Sequence, residues 1–314
     1  SGCCWGRWWS SPPGCGSSNC HPPMTETLGR YQLLEHLDDG GTADVYRANN
    51  GSDNPDIALK VLKPELRDDP HEVERFLAEA ELLRRLAHPG LPRILATGSE
   101  DGTPYLVMEL LRGQSLAEHL EHRGPLPEQE ALTIACDLAD TLDHVHREGL
   151  VHRDLKPANI LLCENTGRAL IMDFGVARAT GASAAGHMAT PRYMSPEQAG
   201  GDRVDGRSDL FSLGVILFEM LTGQPPFAAT SLEQLVDQVR SEAAPALAGS
   251  GTRVGPVIRR LLEKDPSRRY ATARDVRDAL MDINEEHSAA AIPGSVWLVL
   301  GAVAAAAVIL WILA

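Results

Sequence analysis

Lysine is scarce in this chain, and so are aromatic residues. Only four of the 29 basic residues are lysines, and Phe, Trp and Tyr together make up 5% of the sequence. The formal net charge is −14 at pH 7, so the chain lacks the basic surface that a phosphate backbone needs, and we expect no nucleic-acid partner. With so few lysines, each is a candidate for a specific role: Lys60, Lys63, Lys156 and Lys264.

Cysteine is also nearly absent from the body of the chain. Four of the six cysteines lie within the first 20 residues, and only Cys136 and Cys163 lie further on, both in apolar surroundings. This distribution fits a reducing compartment with buried thiols. The apolar content of 43% over 314 residues supports a real core, which excludes global disorder.

Residues 1–23 are rich in cysteine and tryptophan and are unlike everything that follows. Their Cys and His residues suggest a metal or disulfide site, but the spacing matches no standard one. Lipidation of a cysteine is a second alternative. The interpretation that we favour is that the protein starts at Met24 and that the preceding residues do not belong to the fold.

A small strand-rich unit is predicted over residues 30–109. The stretches "YQLLEHL" and "DVYRAN" flank the turn at Gly40 and Gly41, as in a hairpin, and "IALKVL" (57–62) predicts a third strand. The stretch "YLVMELL" (105–111) predicts another buried strand. Between these strands, Asp69 and Pro70 predict the start of a helix, which ends near His88-Pro89.

Beyond Gly113 the chain is predicted to be mainly helical as far as residue 283. Residues 127–149 form a long amphipathic pattern, and residues 208–223 are apolar on nearly all sides, which predicts a buried helix. A linker is expected over residues 284–294. Residues 295–314 contain no charge and would span about 30 Å as a helix, the thickness of a bilayer core, so they predict a transmembrane helix. A buried core helix is the alternative.

The most specific signal is a series of short motifs in a fixed order. After Lys60 in "IALK" and Glu79 on the next helix come "VHRDLKPANILL" (151–162), "DFG" (173–175), "YMSPEQ" (193–198), "SDLFSLG" and "KDPSRR" (264–269). Together they resemble the bacterial eukaryotic-like (Hanks-type) Ser/Thr protein kinase family. The resemblance implies an α+β, two-lobed protein kinase fold over residues 30–283, with a β-rich N-lobe (about 30–109) and a helical C-lobe (about 113–283).

The resemblance also implies a role for each motif residue. Lys60, oriented by Glu79, would hold the α- and β-phosphates of ATP, and Asp154 would accept the proton of the substrate hydroxyl. Lys156 would contact the γ-phosphate, as in Ser/Thr rather than Tyr kinases. Further residues would bind Mg²⁺ (or Mn²⁺) or organise the substrate site: Asn159 and Asp173 on the metal, Thr190 on Asp154, Glu197 with Arg269, and Asp209 beneath the catalytic loop.

The nucleotide pocket and the glycine-rich loop follow from the same resemblance. Leu37, Gly40, Val45, Ala58, Met108, Glu109 and Leu111 would surround ATP, with the 109–111 backbone bonded to the adenine. The family pattern is G-x-G-x-x-G followed by Val, and with Val45 in register Asp38 and Ala43 replace two of the three glycines. We expect the two replacements to weaken ATP use by roughly ten- to a hundredfold, partly because Ala43 would resist a positive φ.

The resemblance leaves three possible functions open. The favoured one is an active kinase that phosphorylates Ser or Thr of proteins, including itself. A pseudokinase that acts as a scaffold is the alternative, because of the altered glycine loop, and a small-molecule phosphotransferase is the third. The activation segment (176–194) is short, and Thr180 and Ser183 are its candidate phosphosites short of Thr190. The alternative is that neither residue is phosphorylated and that the short activation segment is already ordered.

The expected location is the plasma membrane, with a single span at 295–314 and the kinase domain in the cytoplasm. Trp297 and Trp311 lie near the two ends of this span, where indole rings favour the interfaces. Gly301 and Ala305 are four residues apart, a spacing that allows close helix–helix approach and suggests a homodimer. A simple anchor is the alternative.

Overall fold

The computed structural model describes residues 27–39, 42–51, 56–174, 178–179, 191–247 and 252–290. Within these ranges the chain forms a β-rich lobe, then a helical lobe, in the order predicted from the sequence. The strands are β1 (Thr27–Leu28), β2 (Tyr31–Asp39), β3 (Ala43–Asn49), β4 (Ile57–Leu62), β5 (Ile94–Glu100), β6 (Thr103–Glu109), β7 (Gly113–Ser115), β8 (Leu150–Val151), β9 (Ile160–Cys163), β10 (Ala169–Ile171) and β11 (Arg178–Ala179). The helices are α1 (Pro70–Arg85), α2 (Leu116–Arg123), α3 (Glu128–Arg147), α4 (Pro196–Gly200), α5 (Gly206–Thr222), α6 (Leu232–Ser241), α7 (Gly255–Leu261) and α8 (Ala273–Ala290).

The N-lobe is one antiparallel sheet with the strand order β1-β2-β3-β4-β6-β5. The predicted hairpin is present, since β2 pairs with β3 in antiparallel register, and β4 has the predicted bounds. Strand β4 is central and buried on both faces, so Ala58 and Leu59 are fully enclosed. This central position holds Lys60, on the same strand, at the base of the lobe.

Helix α1 begins and ends close to its predicted bounds. The Asp69 side chain accepts a hydrogen bond from the His71 backbone N–H, and Pro70 occupies the first turn. Its buried face contains Phe76, Ala80 and Leu83. Because apolar residues recur at helical spacing, one face of α1 packs on the sheet and fixes the rotation of the helix.

The C-lobe is built around α5, which is enclosed nearly from end to end. Asp205 caps it, and Gly223 ends it in the left-handed conformation with φ 75°. Helix α3 packs against α5 and also against α8. The sequence predicted a buried helix here, and the structure confirms it. The three-stranded sheet β10-β9-β7 and the pair β11-β8 pack on the C-lobe helices, with β10 against α3, β9 against α2, and β8 against α3 and α5.

Some elements were not predicted or differ in extent. Strand β5 lies at the sheet edge with only partly buried side chains, so its apolar alternation is weak. Helix α2 was not predicted as a separate helix within the region expected to be mainly helical. Helix α8 continues to Ala290, into the segment 284–294 that was predicted to be a linker.

Among the described residues, no helix is both long and apolar enough to cross a membrane. The predicted transmembrane segment 295–314 lies outside the described residues, as does the Cys- and Trp-rich stretch 1–23.

Candidate active site

Lys60 joins two carboxylates that come from distant parts of the sequence. Its Nζ lies 2.9 Å from Glu79 Oε1 on α1 and 3.2 Å from Asp173 Oδ1, which lies 113 residues further along the chain. Burial by itself lowers the pKa of Lys60, but Asp173 and Glu79 outweigh it, and the net shift is upward. Lys60 is therefore a cation over the whole physiological range, and the predicted Lys60–Glu79 pair is confirmed.

Glu79 owes its position to the buried face of α1. It lies between Phe76 and Leu83 on that face, and its side chain is 8% exposed. A buried carboxylate needs a charged or hydrogen-bonding partner, and Lys60 on the adjacent sheet provides it. The ion pair thus couples the rotation of α1 to the position of the lysine.

The predicted catalytic loop brings three polar side chains together. Lys156 Nζ lies 2.6 Å from Asp154 Oδ2, and Asn159 Nδ2 donates to the Asp154 backbone carbonyl at 2.9 Å. Asn159 Nδ2 also lies 3.4 Å from Asp154 Oδ2. The Asp154 side chain is 13% exposed and has the Lys156 ammonium group beside it. A carboxylate in that setting can accept a proton from a hydroxyl that comes within hydrogen-bond distance.

Asp209 holds the backbone of this loop from below. Its Oδ2 accepts from the His152 N–H at 2.9 Å and its Oδ1 accepts from the Arg153 N–H at 2.8 Å. Its carboxylate also lies 2.8 Å from His146 Nε2. Burial by itself raises the pKa of Asp209, but His146 and the backbone N–H donors outweigh it and hold the pKa below its usual range. The expected brace from the buried helix is therefore present.

Two residues of the site have left-handed backbone conformations. Arg153 has φ 69° and Asp173 has φ 54°, values that side-chain-bearing residues rarely adopt. Such conformations persist only where the surroundings enforce them, and they concentrate at functional sites. The imidazole of His152 packs edge-on against Phe174, with ring centroids 4.7 Å apart, which links the catalytic loop to the residue after Asp173.

Glu197 and Arg269 form the second predicted ion pair. Arg269 Nη1 lies 2.8 Å from Glu197 Oε1, and Ser208 Oγ donates to the same oxygen at 2.5 Å. Burial by itself raises the pKa of Glu197, but Arg269 outweighs it, and the net shift is downward. The pair joins α4 to the segment before α8 and so fixes the floor of the predicted substrate region.

Several residues predicted to contact ATP are neighbours in the N-lobe sheet. Val45 is the register partner of Lys60, and Ala58 is the register partner of Met108. All three apolar side chains are buried, and Leu37 packs partly buried against the same core. This arrangement provides an apolar wall beside the Lys60 ammonium, which suits a planar aromatic base with attached phosphates.

The structure reduces the set of backbone groups at 109–111 that could hydrogen-bond to the adenine. The Glu109 N–H donates to the Arg93 carbonyl at 3.0 Å, and Glu109 Oε1 accepts from the Arg93 N–H at 2.8 Å. The backbone N–H of Glu109 is therefore engaged within the N-lobe. The prediction is reduced to the Glu109 carbonyl and the backbone of Leu111, a residue whose side chain is buried.

The cost expected for Ala43 depended on a positive φ, and the structure does not show one. Ala43 is the first residue of β3, faces Leu62 across the ladder, is 2% exposed and does not have a positive φ. The methyl group therefore packs into the core and places no strain on the backbone. Asp38 lies on β2 opposite Val45, at the entrance to the loop as expected. Gly40 lies outside the described residues.

Within the activation segment (176–194), the structure describes residues 178–179, which form β11, and residues 191–194. Thr180, Ser183 and Thr190 lie outside the described residues, so their predicted roles stay predictions. After them, the Tyr193 hydroxyl donates to Glu219 Oε2 at 2.9 Å, and Ser212 Oγ donates to the Tyr193 carbonyl at 2.7 Å. Sequence reasoning missed both contacts.

A signal for the Tyr193 contact was nevertheless present in the sequence. The apolar helix α5 has only two carboxylates, Asp209 and Glu219, and an acid on a buried helix requires a partner. Asp209 holds the backbone of the catalytic loop, and Glu219 holds the Tyr193 hydroxyl at the end of the activation segment. Burial raises the pKa of Glu219 above its ordinary value, although the Tyr193 hydroxyl opposes the shift.

The two predicted metal ligands offer oxygen atoms, which Mg²⁺ and Mn²⁺ prefer. Asn159 Nδ2 is turned toward the Asp154 carbonyl, so the amide oxygen is the end that a cation would meet. The Asp173 carboxylate is 46% exposed toward the cleft. In the described part of the chain no three His, Cys, Asp or Glu residues cluster as a metal site.

Comparisons with known proteins agree with this geometry. The sequence pattern of the protein kinase domain matches residues 31–280. The chain is 38% identical over 268 residues to the serine/threonine-protein kinase PknB of Mycobacterium leprae, covering 81% of this chain and 43% of that protein. It is 38% identical over 270 residues to PknB of Mycolicibacterium smegmatis, covering 82% and 43%, and 35% identical over 278 residues to a probable PknB of Bifidobacterium longum, covering 82% and 40%. The chain thus matches less than half the length of each relative.

Proposed function

The chain belongs to the bacterial eukaryotic-like Ser/Thr protein kinase family, and from this premise we propose that it transfers the γ-phosphate of ATP to serine and threonine hydroxyls of proteins. The observation that carries the proposal is the contact between Lys60 Nζ and Asp173 Oδ1 at 3.2 Å, with Glu79 Oε1 at 2.9 Å on the other side. Three charges from three distant segments converge where the nucleotide phosphates would lie.

The N-lobe residues bind and orient the nucleotide. Lys60 donates to the α- and β-phosphate oxygens, and Glu79 keeps the ammonium group aimed at them. The buried side chains of Val45, Ala58 and Met108 form the apolar wall for the adenine. Phosphoryl transfer depends mainly on positioning and on charge neutralisation. These residues position the nucleotide, and Lys60 neutralises part of the phosphate charge.

The C-lobe residues handle the proton and the acceptor. Asp154 accepts the proton of the attacking hydroxyl, and Lys156, 2.6 Å from its carboxylate, balances the negative charge that builds up on the transferred group. Asn159 holds the Asp154 carbonyl and presents its amide oxygen to the cleft. Asn159 and Asp173 would hold Mg²⁺ or Mn²⁺, which would supply positive charge to neutralise the phosphates.

A pseudokinase scaffold is the alternative function. Its motivation is the loss of two glycines from the phosphate loop, at Asp38 and Ala43. The strand position of Ala43 weakens this motivation, because an alanine in regular β conformation there does not obstruct the backbone. The complete set formed by Lys60, Asp154 and Asp173 supports the active enzyme.

The decisive test is transfer of labelled phosphate from ATP to the purified chain and to a generic protein substrate. We expect incorporation on Ser and Thr that depends on Mg²⁺ or Mn²⁺. Asp154→Asn and Lys60→Met should abolish or nearly abolish it. Matched controls are Asp237→Asn, an exposed aspartate on α6, and Lys63→Met, the nearest other lysine, and both should keep activity. ATP binding by the wild type without any transfer would support the scaffold instead.

We further propose that residues 295–314 anchor the kinase domain to the cytoplasmic face of the plasma membrane. The support is the uncharged run of 20 apolar and small residues with Trp297 and Trp311 near its ends. Autophosphorylation between two chains would follow if the face formed by Gly301 and Ala305 associates. Fractionation of the full chain with membranes, and its loss on deletion of 295–314, tests the anchor.

A further inference from the structure

Three helices in the described part of the chain begin with reciprocal hydrogen bonds between a hydroxyl residue and the residue three positions later. In α2 the Ser115 N–H donates to Glu118 Oε2 at 2.8 Å. In α8 the Thr272 N–H donates to Asp275 Oδ2 at 2.9 Å. Such a pair of reciprocal hydrogen bonds is a capping box. The capping box before α4 has the same form, but its acceptor is the side-chain amide of Gln198 instead of a carboxylate.

The amide of Gln198 has a donor that the two carboxylates lack, and the structure uses it. Gln198 Oε1 accepts from the Ser195 N–H at 3.0 Å, while Nε2 donates to the Arg153 carbonyl at 2.8 Å. The two partners, a backbone N–H and a carbonyl, define which end of the amide is oxygen and which is nitrogen. An ionised glutamate could close the box but could not make the second bond.

Arg153 is the residue immediately before Asp154, the proposed catalytic base. It is buried and has the left-handed φ of 69°, so its backbone needs external contacts to hold it. Its N–H is held by Asp209 Oδ1 at 2.8 Å, and its carbonyl is held by Gln198. The carbonyl belongs to the peptide unit that leads directly into Asp154, so its direction affects where the Asp154 carboxylate points.

We propose that Gln198 is a positioning residue for phosphoryl transfer, which fixes the Arg153–Asp154 peptide through its side-chain amide and so aims the catalytic base. The proposal rests on the proposed function, since a base is needed only if the chain transfers phosphate. The same side chain fixes the start of α4, directly after the segment predicted to receive the protein substrate. The base and the substrate segment are thereby held by one amide group.

The matched test replaces the amide by a carboxylate. In Gln198→Glu the box can still close, as it does with Glu118, and an acidic residue suits the first turn of a helix. The melting temperature of the full chain should therefore hold, while kcat for phosphorylation of a protein substrate should fall by about 10- to 100-fold. The affinity for ATP should stay unchanged, because Lys60 and Asp173 are not disturbed.

Three further variants separate this role from other causes. Gln198→Met lacks both the donor and any charge, so its kcat should fall as in Gln198→Glu. Ser195→Ala removes the hydroxyl of the box but leaves the donor to Arg153, so it should lower the melting temperature by roughly 2–4 °C and keep kcat. Glu118→Gln is the reverse exchange in the capping box of α2, whose hydrogen bonds join Ser115 and Glu118, and it should change neither quantity.

Each other result overturns the proposal. Unchanged kcat in Gln198→Glu or in Gln198→Met would show that the donor is dispensable, or that only the added charge matters. A loss of kcat in Ser195→Ala equal to that in Gln198→Glu, or an unfolded Gln198→Glu, would assign the effect to the integrity of α4. No transfer by the wild type would overturn the proposed function together with this role, whereas an active wild type with an active Gln198→Glu overturns this role alone.

Discussion

Arg269 and Glu197 lie 72 residues apart in the sequence and form a buried, two-pronged ion pair. Arg269 Nη1 lies 2.8 Å from Glu197 Oε1, and Nη2 lies 2.8 Å from Oε2. The arginine side chain is fully enclosed, and its remaining donors meet the carbonyls of Glu263, Lys264 and Arg207. A pair of this kind contributes specificity of packing, because each partner is expensive to bury alone.

Arg269→Met should therefore destabilise the protein strongly, since it leaves the Glu197 carboxylate buried without its cationic partner. The expected loss in the free energy of unfolding is about 3–5 kcal/mol. Urea denaturation followed by far-UV circular dichroism measures it. The double variant Arg269→Met with Glu197→Leu should recover part of the loss. Arg84→Met breaks the exposed pair with Glu81 and serves as a control with little effect.

Stability should fall in acid, in part through Glu197 and Asp209. Both have pKa values below their usual range in the folded protein. Groups with a depressed folded-state pKa contribute stability above the unfolded pKa, about 4 for both, and lose it as the pH falls through the folded pKa. The melting temperature should thus drop from about pH 5 downward. Glu197→Gln should be less stable near neutrality and show a shallower acid dependence, and an identical slope would contradict this assignment.

Glu79→Gln tests the link between α1 and the lysine. Without the full negative charge, Lys60 is held mainly by Asp173, and its aim at the phosphates is weakened. We expect kcat/KM for ATP to fall by about 10- to 100-fold, the equivalent of one charged hydrogen bond. Steady-state kinetics at varied ATP measures the change. Glu74→Gln, on the same helix, is the control, and equal kinetics in wild type and Glu79→Gln would exclude the proposed role.

We expect the two replaced glycine positions of the phosphate loop, Ala43 and Asp38, to differ in their effect on ATP binding. Ala43→Gly should leave the KM for ATP unchanged and lower the free energy of unfolding by about 1 kcal/mol or more, since it removes a buried methyl from a strand. Asp38→Asn removes a negative charge near the phosphates and should lower the KM for ATP by roughly 2- to 30-fold. Glu35→Gln on the same strand is the control. A lower KM in Ala43→Gly would show that the alanine does hinder nucleotide binding.

The Cys136 thiol should be inert in the folded protein. Burial, with a smaller effect of Asp137, raises its pKa to about 11, so the reactive thiolate is scarce at neutral pH. The Cys163 side chain is buried, and Cys136 is partly buried. In a variant with serine at the four cysteines before residue 21, a thiol reagent at pH 7.5 should react slowly until denaturant is added. Rapid reaction of one equivalent without denaturant would contradict the raised pKa of Cys136 or the burial of Cys163.

Local sequence determined most of the secondary structure of this chain. The cap at Asp69, the proline after it and the apolar periodicity of α1 act over one or two turns, so they were visible without the fold. The edge strand β5 was missed because its side chains are only partly buried and carry no clear alternation of polarity. The motifs around Lys60, Asp154 and Asp173 identified the family, because their wording and order along the chain resemble the pattern of that family.

Tertiary structure alone decided how the site is held together. Ala43 aligns with a glycine position, yet only the pairing of β3 with β4 shows that it belongs to a strand. The bond from Gln198 to the Arg153 carbonyl joins residues 45 positions apart, and the bond from Tyr193 to Glu219 depends on α5 passing beneath the substrate segment. Periodicity and capping report interactions within a few residues, whereas these contacts arise from packing between distant segments, which no local pattern encodes.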